Sequence, residues 1–378
     1  MFNRIFLIVL DGLGIGSING NETNTLLNVI KDKYNLNVLE KLGLTSLIGI
    51  NTANTRGLYM RCAPINKMND SLGGHYEMMG CISRNEYSVY KEGLPLELVS
   101  KIQKVINTEV IGNEYADGEK IINTLGQMHM KTHCPIIYTS DDSVLQVAAH
   151  EDIIPLNELY DMCKKIFDIV SDPKYNIARV IARPFTGKGG VFTRTNKRRD
   201  FTQEPPKNVI DLLDKNNINV ACIGKIGDLF NNRSISVSIK TTDNIDTMMK
   251  NIDFAKGNFN GLIFSNYNDF DSLYGHRKDR DGYLKSLEEF NYYLPILLKN
   301  LKKKDLLIIT SDHGCDPTKN GSHTLEYTPI LMYSPLFKKG KMLNDRQTLA
   351  DIGATILDNF NIENTLPIGK SIFDDLKN

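Results

Sequence analysis

The sequence predicts an α/β protein with a doubly wound core into which an α+β cap is inserted. Three observations carry that expectation. Apolar runs of strand length alternate with helix-period segments toward both ends of the chain. Residues 87 to 203 break this alternation, with strands and helices mixed differently. The 378 residues, 41% of them hydrophobic, exceed what one core normally organises, so two domains are expected. The core is assigned to 1–86 and 204–378, and the cap to 87–203.

Taken in order, "RIFLIVL" is an almost unbroken apolar run, as a strand buried on both faces requires, and "DGLGIG" follows it as a glycine-rich turn. The G-x-G alone is a weak nucleotide signal, and an ordinary strand-to-helix connection explains it equally well. "MNDSLGGHYEMMG" presents Ser71 in a glycine-containing turn; read alone, Asp70 and Ser71 would be a helix cap and His75 a loop residue. Within the cap, "PIIYTS", "VLQVAAH" and "ARVIARPFTG" read as strands and "LNELYDMCKKIFDIV" as a helix. The basic, polar "FTRTNKRRDFTQEPP" reads as a boundary. The core resumes with the strands "NINVACIGK", "FNGLIFSNYNDFD", "DLLIITSDHG" and "TPILMYS" and the helices "DGYLKSLEEFNYYLPILLKNLKK" and "TLADIGATILDNF".

Lys plus Arg equals Asp plus Glu at 45 each, so no global field draws the chain to nucleic acid or an anionic membrane. The six cysteines lack C-x-x-C spacing, which argues against a disulfide framework or a zinc knuckle. The apolar run at the start is short, ends in Asp11 and lacks a small-residue cleavage site, and no stretch is long enough to span a bilayer. A cytoplasmic protein with reduced thiols and no obligate protein partner is expected.

Ligands in open α/β sheets collect beyond the carboxyl ends of the strands, so residues there carry the most information. Asp11 closes the first strand. "DFDSLYGH" offers Asp271 and His276, "SDHG" offers Asp312 and His313, and "GSHTLEY" offers His323. Mixed carboxylate and imidazole donors suit zinc, manganese or iron, whereas a magnesium site favours oxygen alone. A hydroxyl such as Ser71 becomes a competent nucleophile only when a base or metal favours its alkoxide. A lone histidine is more often a satisfied core residue; the set taken together is poorly explained that way.

The order Asp11, Ser71 in S-x-x-G-H, Asp271-x4-His276, Asp312-His313 and His323 resembles the alkaline phosphatase superfamily, which implies an alkaline-phosphatase-like core. Across nearly the whole chain, "RIFLIVLDGLGIG", "YTSDDSVLQVAAHED", "ARVIARPFTG", "FTRTNKRRDF", "DFDSLYGHRKD", "SDHGCDP" and "TLADIGATI" are similar to the prokaryotic, metal-dependent phosphopentomutase family. That resemblance implies interconversion of ribose or deoxyribose 1-phosphate with the 5-phosphate, through a phosphorylated Ser71 and a 1,5-bisphosphate. It implies two divalent ions, manganese foremost: one on Asp271, His276 and His323, the other on Asp11, Asp312 and His313. A bisphosphorylated sugar would prime the serine, and the partners would be small pentose phosphates. Ser140, Asp142, Arg179, Arg194 and Lys225 stand in family-like segments suited to phosphate and ribose, with solvated surface ion pairs as the competing reading. The chain departs from the family in carrying Ser71 for threonine, Cys315 for asparagine and Leu325 for arginine. The same ligands would also serve a phosphomonoesterase or a phosphoglycerate-type mutase, while a catalytically silent binding protein would be expected to have lost one of them.

Overall fold

The computed structural model describes the chain apart from residues 21, 32, 66–70, 82–87, 141–142, 203 and 378 and the side chains of Ser71 and Lys377. In chain order the strands are β1 (Arg4–Leu10), β2 (Leu58–Cys62), β3 (Ile111–Tyr115), β4 (Ile136–Ser140), β5 (Val144–His150), β6 (Arg179–Lys188) and β7 (Val191–Arg194). They continue as β8 (Arg199–Thr202), β9 (Val220–Ile223), β10 (Val237–Ile239), β11 (Gly261–Tyr267), β12 (Asp305–Thr310), β13 (Thr328–Tyr333) and β14 (Lys341–Met342). They divide between two compact units, one made of Met1–Arg84 with Pro205–Asn378 and the other of Asn85–Glu204.

The first unit is built on an eight-stranded sheet in the order β10-β9-β11-β1-β12-β13-β2-β14. β1 runs parallel to both β11 and β12, and all seven of its residues are buried. Because side chains alternate across a strand, Ile5, Leu7 and Val9 enter one core with the helices Val209–Lys215 and Ala350–Asn359. Phe6, Ile8 and Leu10 enter the other, with Asn244–Lys256 and Arg280–Asn300. The unbroken apolar run is therefore the signature of a strand covered on both faces.

The sheet is mixed. β13 lies antiparallel to β12 and β2 antiparallel to β13. The connection from β12 to β13 contains no helix to carry the chain across the sheet, so it returns antiparallel. At the opposite end of β1 and β12, Arg4 and Asp305 form an ion pair, each about 1% exposed. The guanidinium also donates to the carbonyls of Phe254, Ala255 and Gly257, which ties the end of the helix Asn244–Lys256 to the sheet.

The second unit has a six-stranded sheet, β3-β4-β5-β6-β7, with β8 pairing with β6 as well. One face packs on Leu96–Ile106 and Leu156–Val170, whose buried Leu159, Met162, Cys163, Ile166 and Val170 follow helical spacing. The other packs partly on Gly118–Thr132. The basic run read as a boundary carries the division between the units at its prolines, between Glu204 and Pro205, and also contributes β7 and β8, both antiparallel to β6. Its alternating polar residues conceal two strands anchored by buried Phe192 and partly buried Phe201.

Candidate metal centre

The carboxyl ends of the three adjacent parallel strands β11, β1 and β12 bring together residues almost the whole chain apart. Asp11 follows β1, and Asp312 and His313 follow β12. Asp271 and His276 lie in the π-helical turn Phe270–Gly275 and its cap after β11. In that turn the His276 N–H donates to the Asp271 carbonyl at 2.9 Å, an i to i+5 bond that puts the two side chains side by side. Asp271 Oδ2 is 3.2 Å from His276 Nε2, and Asp271 Oδ1 is 3.3 Å from His323 Nε2. His276 and His323 approach each other at 3.1 Å between their Nε2 atoms. On the other side of the cluster, His313 Nε2 lies 3.5 Å from Asp11 Oδ1 and 3.3 Å from Asp312 Oδ2.

The outer partners orient these rings. His276 Nδ1 lies 2.8 Å from the carbonyl of Gly321, and His313 Nδ1 is 3.1 Å from that of Gly314. A carbonyl accepts only, so each Nδ1 carries the proton and each Nε2 faces the carboxylates; its hydrogen bond to Asp271 raises the pKa of His276 above the ordinary value. His323 is held by the loop around it. Gly314 and Thr324 pair as an isolated bridge, and buried Glu326 accepts from the N–H groups of Gly16 and Thr25 and the hydroxyls of Thr25 and Thr324. A methyl on Gly14 would meet Glu326 Oε2 at 2.3 Å. The glycine of the G-x-G turn is thus accounted for by close approach to Glu326.

Burial pushes the Asp11 carboxyl well above the usual carboxylate range, and Asp312 adds to the effect against the pull of Lys225. Burial also acts to raise Asp271, but its pairing with His276 and His323 outweighs it and holds this carboxyl well below the usual range. Asp312 is held low in the same way by His313 and His75. Burial pushes His313 down to about 4, so this ring is neutral at physiological pH.

Two buried oxygens, Asp271 Oδ1 and Asp312 Oδ2, accept no hydrogen bond among the described residues. An orphaned buried acceptor costs about 1–3 kcal/mol, and more when charged. Inward-facing ring nitrogens and unsatisfied carboxylate oxygens fit divalent cations. Asp11, Asp312 and His313 form one group of donors within 4.8 Å of one another, and Asp271, His313 and His323 form another.

The remaining sequence-predicted residues fall into three groups. Lys225, expected to bind substrate, makes a direct ion pair with Asp11. Burial works against its charge, but Asp11 and Asp312 outweigh it and raise its pKa. Ser71 opens the helix Ser71–Met78; its side chain lies outside the described residues, as does Asp142. Gly74 in that helix would place a methyl 2.5 Å from the Asp312 carbonyl oxygen, so the helix abuts the cluster. Ser140, Arg179 and Arg194 belong to the second unit. Arg194 donates to the Tyr138 hydroxyl at 3.1 Å, Tyr138 to Gln146 Oε1 at 3.0 Å, and Gln146 Nε2 to Ser140 Oγ at 2.8 Å. Arg179 pairs with Asp200 at 3.4 Å.

Sequence reasoning assigned no site role to three neighbours of the cluster, nor to one residue of the second unit. His75 is fully buried, with Nδ1 3.3 Å from Asp312 Oδ2 and Nε2 3.1 Å from Asn266 Nδ2. Asn266 in turn donates to Asp11 at 2.9 Å. Arg183, half-buried, donates to Gln146 at 2.7 Å and extends the network of Arg194. Cys315 lies beside Asp271 and His276. A polar residue at the end of β11 was the available signal for Asn266, and His75 and Cys315 stood in the S-x-x-G-H and SDHGC stretches; nothing local marks Arg183.

The fold and the donor cluster define a metalloenzyme. The chain belongs to the Metalloenzyme superfamily, which it matches over residues 3–364. Its fold is similar to that of the PH0037 protein from Pyrococcus horikoshii, at 14% identity and a TM-score of 0.52 over 97% of this chain and 100% of that one. It is also similar to Leishmania mexicana phosphoglycerate mutase, in crystals at low cobalt concentration, at 13% identity and a TM-score of 0.50 over 98% of each chain. The architecture is thus the α/β class expected from the sequence, with a mixed eight-stranded sheet in one unit and a six-stranded sheet in the other. Among the described residues, no helix is long and apolar enough to cross a membrane.

Proposed function

We propose that the chain is a metal-dependent phosphoryl-transfer enzyme, and specifically a phosphopentomutase. The observation that carries the reading is the convergence of three carboxylates and three imidazoles beside the helix that begins at Ser71. The likeness to a phosphoglycerate mutase supports a mutase over a simple hydrolase. Asp11, Asp312 and His313 would hold one divalent ion and Asp271, His276 and His323 a second, manganese being what the sequence resemblance implies. Bound there, the ions would neutralise phosphoryl oxygens and favour the serine alkoxide.

The chain's own residues do the rest. Ser71 Oγ carries the phosphoryl group: its P–O bond breaks as a new one forms to the free hydroxyl of the sugar phosphate, and the hydroxyl proton leaves to solvent. The 1,5-bisphosphate then returns its other phosphoryl group: that sugar P–O bond breaks as one forms to the Ser71 oxygen, and the freed sugar oxygen takes up a proton to become the hydroxyl of the product. The amino-terminal end of the helix favours an anion at this position. Lys225 offsets the negative charge of Asp11 before substrate arrives. In the second unit, Arg179 and Arg194 are the candidates the sequence offers for a phosphate, with guanidinium groups of planar, bidentate geometry. Priming by a bisphosphorylated sugar supplies the first phosphoserine.

The test is phosphorus NMR of the purified chain given ribose 5-phosphate, manganese and a catalytic amount of ribose 1,5-bisphosphate. Appearance of ribose 1-phosphate supports the mutase. Inorganic phosphate alone would make the chain a phosphomonoesterase, and an unchanged spectrum would overturn the phosphopentomutase reading.

A further inference from the structure

Cys315 stands among the candidate ligands. Its Sγ, a carboxylate oxygen of Asp271 and a ring nitrogen of His276 lie within 4.8 Å of one another. The side chain has no exposed surface, and its N–H is anchored to the Gly12 carbonyl at 2.8 Å. Two glycines make room for it: a methyl on Gly275 would meet Sγ at 2.6 Å, and one on Gly12 would meet Cys315 Cβ at 2.9 Å. The thiol therefore occupies a fitted position against the cluster. Independently, Asp271 is only 5% exposed and its Oδ1 accepts no hydrogen bond among the described residues. Asp271 thus faces the thiol and the His276 ring together, and its Oδ1 lies 3.3 Å from His323 Nε2 on the other side.

We propose that Cys315 is a metal ligand, joining Asp271, His276 and His323 in a mixed sulfur, nitrogen and oxygen site that prefers a borderline-soft divalent ion such as zinc or cobalt to manganese. On binding, the thiol S–H bond breaks, its proton leaves to solvent, and the sulfur lone pair forms the bond to the ion. Thiolate shifts a site toward zinc and its neighbours, while carboxylate and water suit manganese. The other group, Asp11, Asp312 and His313, has only oxygen and nitrogen donors and keeps the harder character. Two ions of different hardness would then sit side by side. This inference rests on the metal reading of the site and is independent of the sugar substrate.

The test is a cobalt(II) titration of the metal-depleted full chain, followed by absorption. It is made in a Cys134→Ser background, because Cys134 is the cysteine that is not buried. The expected result is visible ligand-field bands together with a near-ultraviolet sulfur-to-cobalt charge-transfer band. Cys315→Ser should remove the near-ultraviolet band and keep visible bands, and competition should show zinc losing at least about tenfold in affinity relative to manganese. Visible bands without the near-ultraviolet band in the parent chain would overturn the role of Cys315 while leaving the metal site standing. No cobalt spectrum at all would overturn both.

Discussion

Gly74→Ala probes how the helix Ser71–Met78 is seated against the metal centre. The added methyl would lie 2.5 Å from the Asp312 carbonyl oxygen, 2.6 Å from its Cβ and 2.8 Å from its Cα. Two of these atoms are backbone, so no flexible side chain can swing away. Ordinary contact begins at 3.4 Å, and the difference from 2.5 Å requires the helix and the Asp312 segment to part by about 0.9 Å. Overpacking of this kind costs about 1–3 kcal/mol, offset by about 1 kcal/mol of helix propensity gained on replacing glycine. The variant should stay folded, with a small fall in melting temperature. A misplacement near 1 Å costs about a hundredfold in rate when reacting groups must align. Steady-state turnover of ribose 5-phosphate, with melting followed by circular dichroism, should show a large loss of kcat beside a small loss of stability. Wild-type turnover in Gly74→Ala would refute the argument that this contact positions the nucleophile.

Further outcomes follow from the same structure. Chelation should abolish activity and lower the melting temperature, since Asp11, Asp271 and Asp312 are buried together; restored cation at a hundredfold excess over its Kd should return about 2.7 kcal/mol per site, seen as a recovered melting temperature. Asp305→Ala leaves the Arg4 guanidinium buried beside an empty position and should cost about 3–5 kcal/mol by urea denaturation, whereas the double replacement Arg4→Met with Asp305→Leu should cost clearly less. In the second unit His129 Nε2 accepts the His150 N–H at 2.9 Å, which requires a neutral ring, and burial lowers the pKa of His129 below its ordinary 6.5. The unfolded chain therefore binds the proton more readily, so this stability is present above pH 6.5 and lost as pH falls through the lowered value, by at most about 1.4 kcal/mol per unit. Denaturation midpoints from pH 7.5 to 5 should fall in the wild type and flatten in His129→Gln.

What could be read in the sequence was what is local. The alternation of apolar runs with helical periods revealed the α/β class, because strands and helices bury faces with different periods. Asp11, Asp271, Asp312 and His313 were legible because each interrupts or follows an apolar run at a strand end, where parallel sheets expose their sites. The x4 spacing of Asp271 and His276 was visible, while the wide turn that makes it productive was not. β7 and β8 were hidden because each carries one anchoring aromatic, Phe192 or Phe201, among mostly exposed polar residues. The tertiary structure alone decided that β1 lies between β11 and β12, and with that order came the contacts that build the cluster. Lys225 reaches Asp11, His75 reaches Asp312 and Asn266, Glu326 folds the first loop over the last, and Cys315 arrives beside Asp271 and His276. These pairings arise from the stacking of parallel strand ends on one sheet edge, and sequence periodicity has no register for distances of that kind.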